Sequence, residues 1–203
     1  MADPDRQTAR EAPDRAAHLG RLTRALEGVC TDEQRAALQL EHVLVSGDLE
    51  ALDRQLAGAH PDAIRIHPTG EALIHYAIGL TTPEAIQHII ELGADVNYVA
   101  DDGFPALVNA IHHYDRPEER WEVVRVLVDA GADLERVGIN GYRPIHCAAM
   151  TGDRQLVRML LDAGADPHSR TTVDDYWTAI EEAEHLGARQ GAEAIREWLA
   201  EHP

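Results

Sequence analysis

An all-α solenoid of stacked helix pairs, with short turn fingers between them, follows from three observations on this 203-residue chain. A short pattern recurs four times: Gly70-Glu-Ala-Leu-Ile-His-Tyr-Ala77, Gly103-Phe-Pro-Ala-Leu-Val-Asn-Ala110, Gly141-Tyr-Arg-Pro-Ile-His-Cys-Ala148 and, more worn, Tyr176-Trp-Thr-Ala-Ile-Glu-Glu-Ala183. The first three copies are each followed by an apolar helical pattern that ends in Gly-Ala-Asp, at 93–95, 131–133 and 164–166. Equivalent positions Ala72, Pro105, Arg143 and Thr178 are separated by 33, 38 and 35 residues. One helix pair cannot bury its apolar face alone, so copies at such a period stack side by side into a continuous core.

The elements follow in chain order. Residues 1–11 are polar and expected to be disordered. Residues 12–30 form an N-terminal capping segment whose amphipathic pattern, over 12–28, predicts one helix. The repeat domain then runs from 31 to 203 in five units, about 31–66, 67–99, 100–137, 138–172 and 173–203. In the first, Thr31–Ser46 and Gly47–Gly58 have the lengths of a helix pair but lack the turn motif. In the others, short inner helices are expected at His75–Gly79 and Ile145–Ala149, where Ala77, Ala110 and Ala148 permit close packing. Outer helices are expected at Ala85–Leu92, Glu119–Ala130 and Asp153–Ala163, with apolar residues such as Ile86, Ile89 and Ile90 at helical spacing. Gly93, Gly131 and Gly164 stand where a helix end favours a residue tolerant of positive φ. The extra residues of the third unit fall at 112–119. There Asp115, Pro117 and Glu118 read as a capped helix start. Thr82 and Pro83 do the same one unit earlier.

A period near 33 residues with this content resembles the ankyrin repeat, whose signature centres on Thr-Pro-Leu-His-x-Ala. The resemblance covers residues 67–203 well and 31–66 loosely. It implies that the motif glycines Gly70, Gly103 and Gly141 and the alanines Ala77, Ala110 and Ala148 are structural. It also implies that the motif histidines His75 and His146 fix their turns by hydrogen bonding. The chain departs from the signature at the Thr position, taken by Ala72, Pro105 and Arg143, and at the His position, taken by Val108 and Glu181. A less uniform stack, frayed toward the last unit, is expected from these losses.

Charge narrows the partner. The chain carries −18, and residues 67–203 contribute −14 of it, from 24 acidic and 10 basic side chains. Nucleic acid and anionic membrane are repelled by such a surface, whereas a basic protein is steered toward it. All 18 basic residues are arginine, which suggests a GC-rich, bacterial genome and leaves no lysine for phosphate-loop or Schiff-base chemistry. Two cysteines, Cys30 and Cys147, do not make a disulfide framework and fit free thiols in a reducing cytoplasm. The start of the chain, Met1-Ala-Asp-Pro-Asp-Arg, is acidic and polar where a secretory leader would be basic and then apolar.

The resemblance implies binding through turn tips and the exposed side of the inner helices. After the motif glycine or its equivalent come Glu71, Phe104, Tyr142 and Trp177, so three successive units place an aromatic in one lane, with Tyr176 beside the last. Neighbouring turn residues are Asp101, Asp102, Ile139, Asn140, Asp174 and Asp175. At the far end of the inner helices lie His112, His113, Met150 and His185. Aromatics among carboxylates suit an arginine- or lysine-rich surface through stacking, cation–π contact and charge pairing.

Catalytic signatures are missing from the sequence. Ser46 and Ser169 belong to no nucleophile elbow, and there is no phosphate loop or zinc-type cysteine pair. His146 and Cys147 are consecutive in a helix and point about 100° apart, so adjacency does not make them a dyad. The expectation is a non-enzymatic, cofactor-free protein-binding scaffold, cytoplasmic and monomeric on its own. Its most specific form is an inhibitor or immunity-type protein for a basic toxin or nuclease. One alternative is an adaptor that stabilises a cellular enzyme. Another is a histidine-dependent metal or small-molecule binder, built on His112, His113 and Asp115.

Overall fold

The computed structural model describes residues 15–26, 28, 31–66, 71–101, 103–113, 117–138, 141–172 and 176–203. Eleven helices run through them. They are α1 (Arg15–Leu26), α2 (Asp32–Ser46), α3 (Leu49–Leu56), α4 (Leu73–Ile78), α5 (Pro83–Glu91), α6 (Ala106–His113), α7 (Pro117–Asp129), α8 (Pro144–Thr151), α9 (Arg154–Asp162), α10 (Ala179–His185) and α11 (Arg189–Glu201). Among the described residues, strand content is confined to the fingers. β1 (Arg65–Ile66) pairs antiparallel with β2 (Glu71–Ala72), and single bridges join Val99 to Pro105 and Arg170 to Thr178. The architecture is a helical solenoid with β-turn fingers. Gly70, Asp102, Ile139, Asn140, Asp174 and Asp175 lie outside the described residues, as do residues 1–11, Cys30 and Asp115.

Inner helices begin earlier than their apolar pattern suggests. α4 starts at Leu73 and α8 at Pro144, because the residue in the signature's Thr position is the cap: Ala72, Arg143 and Thr178 all have extended backbone there. Thr178 alone supplies the capping hydroxyl, which accepts from Glu181 N–H at 3.3 Å. Outer helices stop one residue sooner than expected, and Asp153 is the cap of α9 rather than its first residue, accepting from Gln155 and Leu156 N–H. Gly93, Gly131 and Gly164 adopt φ of 105°, 90° and 104°, which is the chain reversal that the outer helices need.

One buried cluster runs the length of the stack, from Leu40 and Leu44 through Ile74, Ile86, Leu107, Leu127, Ile145 and Leu160 to Ile195. Ala77, Ala110 and Ala148 have no exposed surface, as close inner-helix packing requires. The last unit is firmly docked, contrary to the expected fraying. Buried Gly191 brings α11 so near α8 that a Cβ added there would lie 2.0 Å from the carbonyl oxygen of Ala149. Arg154 pairs with Glu197, and Arg158 with Glu201, across α9 and α11.

A second register runs along the turns after the outer helices. The Asp of each Gly-Ala-Asp turns the chain by accepting from the backbone N–H two residues on: Asp95 from Asn97, Asp133 from Glu135 and Asp166 from His168, at 2.8, 2.9 and 2.8 Å. The N–H of that same Asp donates to a side chain of the preceding unit. Asp95 N–H reaches Asp62, Asp133 N–H reaches Asn97 and Asp166 N–H reaches Glu135, at 3.0, 2.7 and 2.8 Å. Gly-Ala-Asp is therefore both a stop signal and a staple between neighbours.

Candidate partner-binding face

The fingers are tied to the inner helices by the two motif histidines. His75 is buried, and its Nε2–H donates to the Phe104 carbonyl at 2.8 Å. Its Nδ1 lies 3.1 Å from the Asn109 amide and 3.2 Å from a Glu71 oxygen. His146 has no exposed surface, and its Nε2–H donates to the Trp177 carbonyl at 3.1 Å. Its Nδ1 accepts from the Arg143 backbone N–H at 3.4 Å. Burial lowers the His146 pKa, and the Arg143 guanidinium adds to the lowering, while the bond to the Trp177 carbonyl opposes it. Each bond joins the inner helix of one unit to the finger of the next. Their backbone partners, Phe104 and Trp177, belong to the aromatic lane.

Arg143 stands where the signature has Thr and makes a longer bridge than a hydroxyl could. Its Nε lies 3.2 Å from Glu135, and its Nη1–H donates to the Arg170 carbonyl of the next finger. The position between the motif His and Ala holds Tyr76, Asn109, Cys147 and Glu182. Three of these reach back one unit: Tyr76 to Glu41, Asn109 to His75 and Glu182 to Tyr142. Cys147 is too short to do so. Burial pushes its thiol up to about 12, so it is protonated and inert as a nucleophile at neutral pH.

The aromatic lane is less open than its repetition suggests. Phe104, Tyr142 and Trp177 are all half-buried, and the first two pack against the core. The Tyr142 hydroxyl donates to buried Glu182 at 2.9 Å, which makes this ring part of the joint between two units. Trp177 lies against the His185 ring, with centroids 4.5 Å apart. The exposed members of the expected face are Asp101, His112, Tyr176 and His185, while Met150 is half-buried against the core. His113 closes α6. Glu181, in the signature's His position, accepts from Thr178 N–H at 2.7 Å and pairs with Arg170 at 3.3 Å. Those Thr178 bonds hold its carboxyl below the ordinary range.

Among the described residues no group of three or more His, Cys, Asp or Glu is placed to hold a metal ion. None of their helices is long and apolar enough to cross a membrane. Sequence reasoning missed the staples at Asp62, Asn97 and Glu135, and the contact of Gly191. The first group had a signal, a polar residue two positions after each Gly-Ala-Asp aspartate in Asn97 and Glu135. Gly191 had none, since a lone glycine in a helix does not announce what it touches.

Comparison with known proteins agrees with this geometry. The family description "Ankyrin repeats (3 copies)" matches residues 74–171. The chain is 30% identical over 148 residues to the E3 ubiquitin-protein ligase KEG of Arabidopsis thaliana, covering 67% of this chain and 9% of that protein. It is 30% identical over 118 residues to the RelA-associated inhibitor of Mus musculus, covering 58% and 13%. Similarity to mouse protein phosphatase 1 regulatory subunit 27 is 27% over 107 residues, covering 53% and 66%. The chain thus spans less than two thirds of the length of each of these relatives. Stacked helix pairs, β-turn fingers, the Gly-Ala-Asp staples and the matched repeats converge: this chain is an ankyrin-repeat protein, with three repeats over residues 74–171.

Proposed function

We propose that this protein captures a basic protein on the finger side of its inner helices and thereby inhibits it, as an immunity-type protein inhibits a toxin or nuclease. Ankyrin repeats are protein-binding scaffolds, and the reading adds charge to that scaffold. The observation that carries it is the net −18, concentrated in the repeats, beside exposed Asp101, Tyr176 and His185. A basic nucleic-acid enzyme needs a positive groove, which an acidic scaffold occludes electrostatically. Asp102, Ile139, Asn140, Asp174 and Asp175 complete the proposed face, in a monomeric, cytoplasmic array of five units over 31–203. Two of the relatives, an inhibitor and a phosphatase regulatory subunit, support regulation of another protein. An alternative reading is an adaptor, in which the captured enzyme is stabilised rather than blocked.

The test is capture by the immobilised protein at low and moderate salt, with Asp101→Asn/Asp174→Asn/Asp175→Asn as comparison. A basic protein held at low salt, released at moderate salt and lost with the variant supports the reading. Recovery of the same proteins by both forms contradicts it. Assaying the captured protein with and without this chain separates inhibitor from adaptor.

A further inference from the structure

Tyr176 occupies the position that the two preceding fingers give to glycine. Gly103 (φ 87°) precedes Phe104, and Gly141 (φ 72°) precedes Tyr142; in the last finger Tyr176 (φ 54°) precedes Trp177. Glycine suits this left-handed backbone because it has no Cβ to clash with the following carbonyl. Tyrosine there is strained, and its ring gives little back to the fold. The residue is 61% exposed, more than any other large hydrophobic residue among those described.

The main chain is held in place at the strained residue and at the one that follows it. Arg170 Nη1–H donates to the Tyr176 carbonyl at 2.8 Å. The Trp177 carbonyl accepts from Thr171 N–H at 2.9 Å and from His146 Nε2–H at 3.1 Å. These contacts fix the main chain without using the ring. Strain that persists because its neighbours over-determine it concentrates at binding and switch sites.

We infer that Tyr176 is the anchor of the interface, its open ring face receiving an arginine side chain of the partner; this rests on the reading of the surface as a capture site for a basic protein. A guanidinium is planar and weakly hydrated, so it stacks on an aromatic face with little desolvation penalty. Asp174 and Asp175 immediately precede Tyr176 in the chain, and the overall charge of −18 attracts cations to the protein as a whole. Glycine in this place would relax the turn but present nothing to the partner.

The test is calorimetric titration of the full chain with a tetra-arginine peptide at low salt, for wild type, Tyr176→Gly and Tyr176→Phe, with thermal melts of all three. The expected result is a Tyr176→Gly variant that melts at or above the wild-type temperature yet binds about tenfold more weakly. Tyr176→Phe keeps the ring face and keeps the affinity. Equal binding by wild type and Tyr176→Gly would overturn the anchor while leaving capture of a basic protein intact. A Tyr176→Gly variant that melts well below wild type would make the ring structural and overturn it as well. Failure of wild type to bind the peptide would remove both this inference and the reading beneath it.

Discussion

The imidazole of His146 donates its Nε2–H to the carbonyl oxygen of Trp177 at 3.1 Å, so a fully buried ring in one repeat sets the finger of the next. The neutral ring is the form that fits, with Nδ1 accepting from Arg143 N–H. The unfolded chain takes up this proton near pH 6.5, and the native state only at a lower pH. Between those values the unfolded state binds more protons. The contribution to stability is therefore full above about pH 6.5 and is lost as pH falls through the folded value. Urea unfolding at stepped pH should show this decline. In His146→Gln, whose amide can still donate to Trp177 but does not titrate, the decline should be shallower.

Tyr142 tests whether the aromatic lane can be separated from folding. Its hydroxyl is the donor to buried Glu182, so Tyr142→Phe leaves a carboxylate facing an apolar ring. Destabilisation of about 1–3 kcal/mol is expected from chemical denaturation. Adding Glu182→Leu should recover much of it, because removing both partners leaves no buried polar group without a bond.

Gly191→Ala should unseat the C-terminal helix. The added Cβ would meet the Ala149 backbone, which cannot swing aside as a flexible side chain would. A loss of about 1–3 kcal/mol is expected from overpacking, against a negligible change for Gln190→Ala on the exposed side of the same helix. Ala148→Leu, at a position with no exposed surface, should be damaging for the same reason.

Asn97→Ala removes two inter-repeat bonds, the acceptor for Asp133 N–H at 2.7 Å and the donor to the Gly131 carbonyl at 3.3 Å. Each such bond contributes about 1 kcal/mol net. Amide exchange should quicken at Asp133 in the variant while the cores of α8 and α9 stay protected.

The stack was legible because its signals are local and repeated. Gly93, Gly131 and Gly164 mark the helix ends, Ala77, Ala110 and Ala148 mark close packing, and His75 and His146 stand in register with the motif. Helix starts were misjudged by a residue or two, since Ala72 and Arg143 carry no capping hydroxyl to mark them. The face was less legible. Repetition of Phe104, Tyr142 and Trp177 shows that a position is shared, but not whether a ring lies over solvent or against Glu182 and the core. Tyr176 read as a worn glycine position, and only its φ shows that the backbone kept the glycine conformation. Gly191 and the Tyr142–Glu182 bond depend on distances across repeats, which one-dimensional patterns do not encode.

The most direct measurement is the association rate of the captured partner as a function of ionic strength. The account predicts a rate that falls about tenfold or more from low to physiological salt, with dissociation little changed, because an acidic face steers a basic partner through solvent. An association rate that does not respond to salt would contradict it.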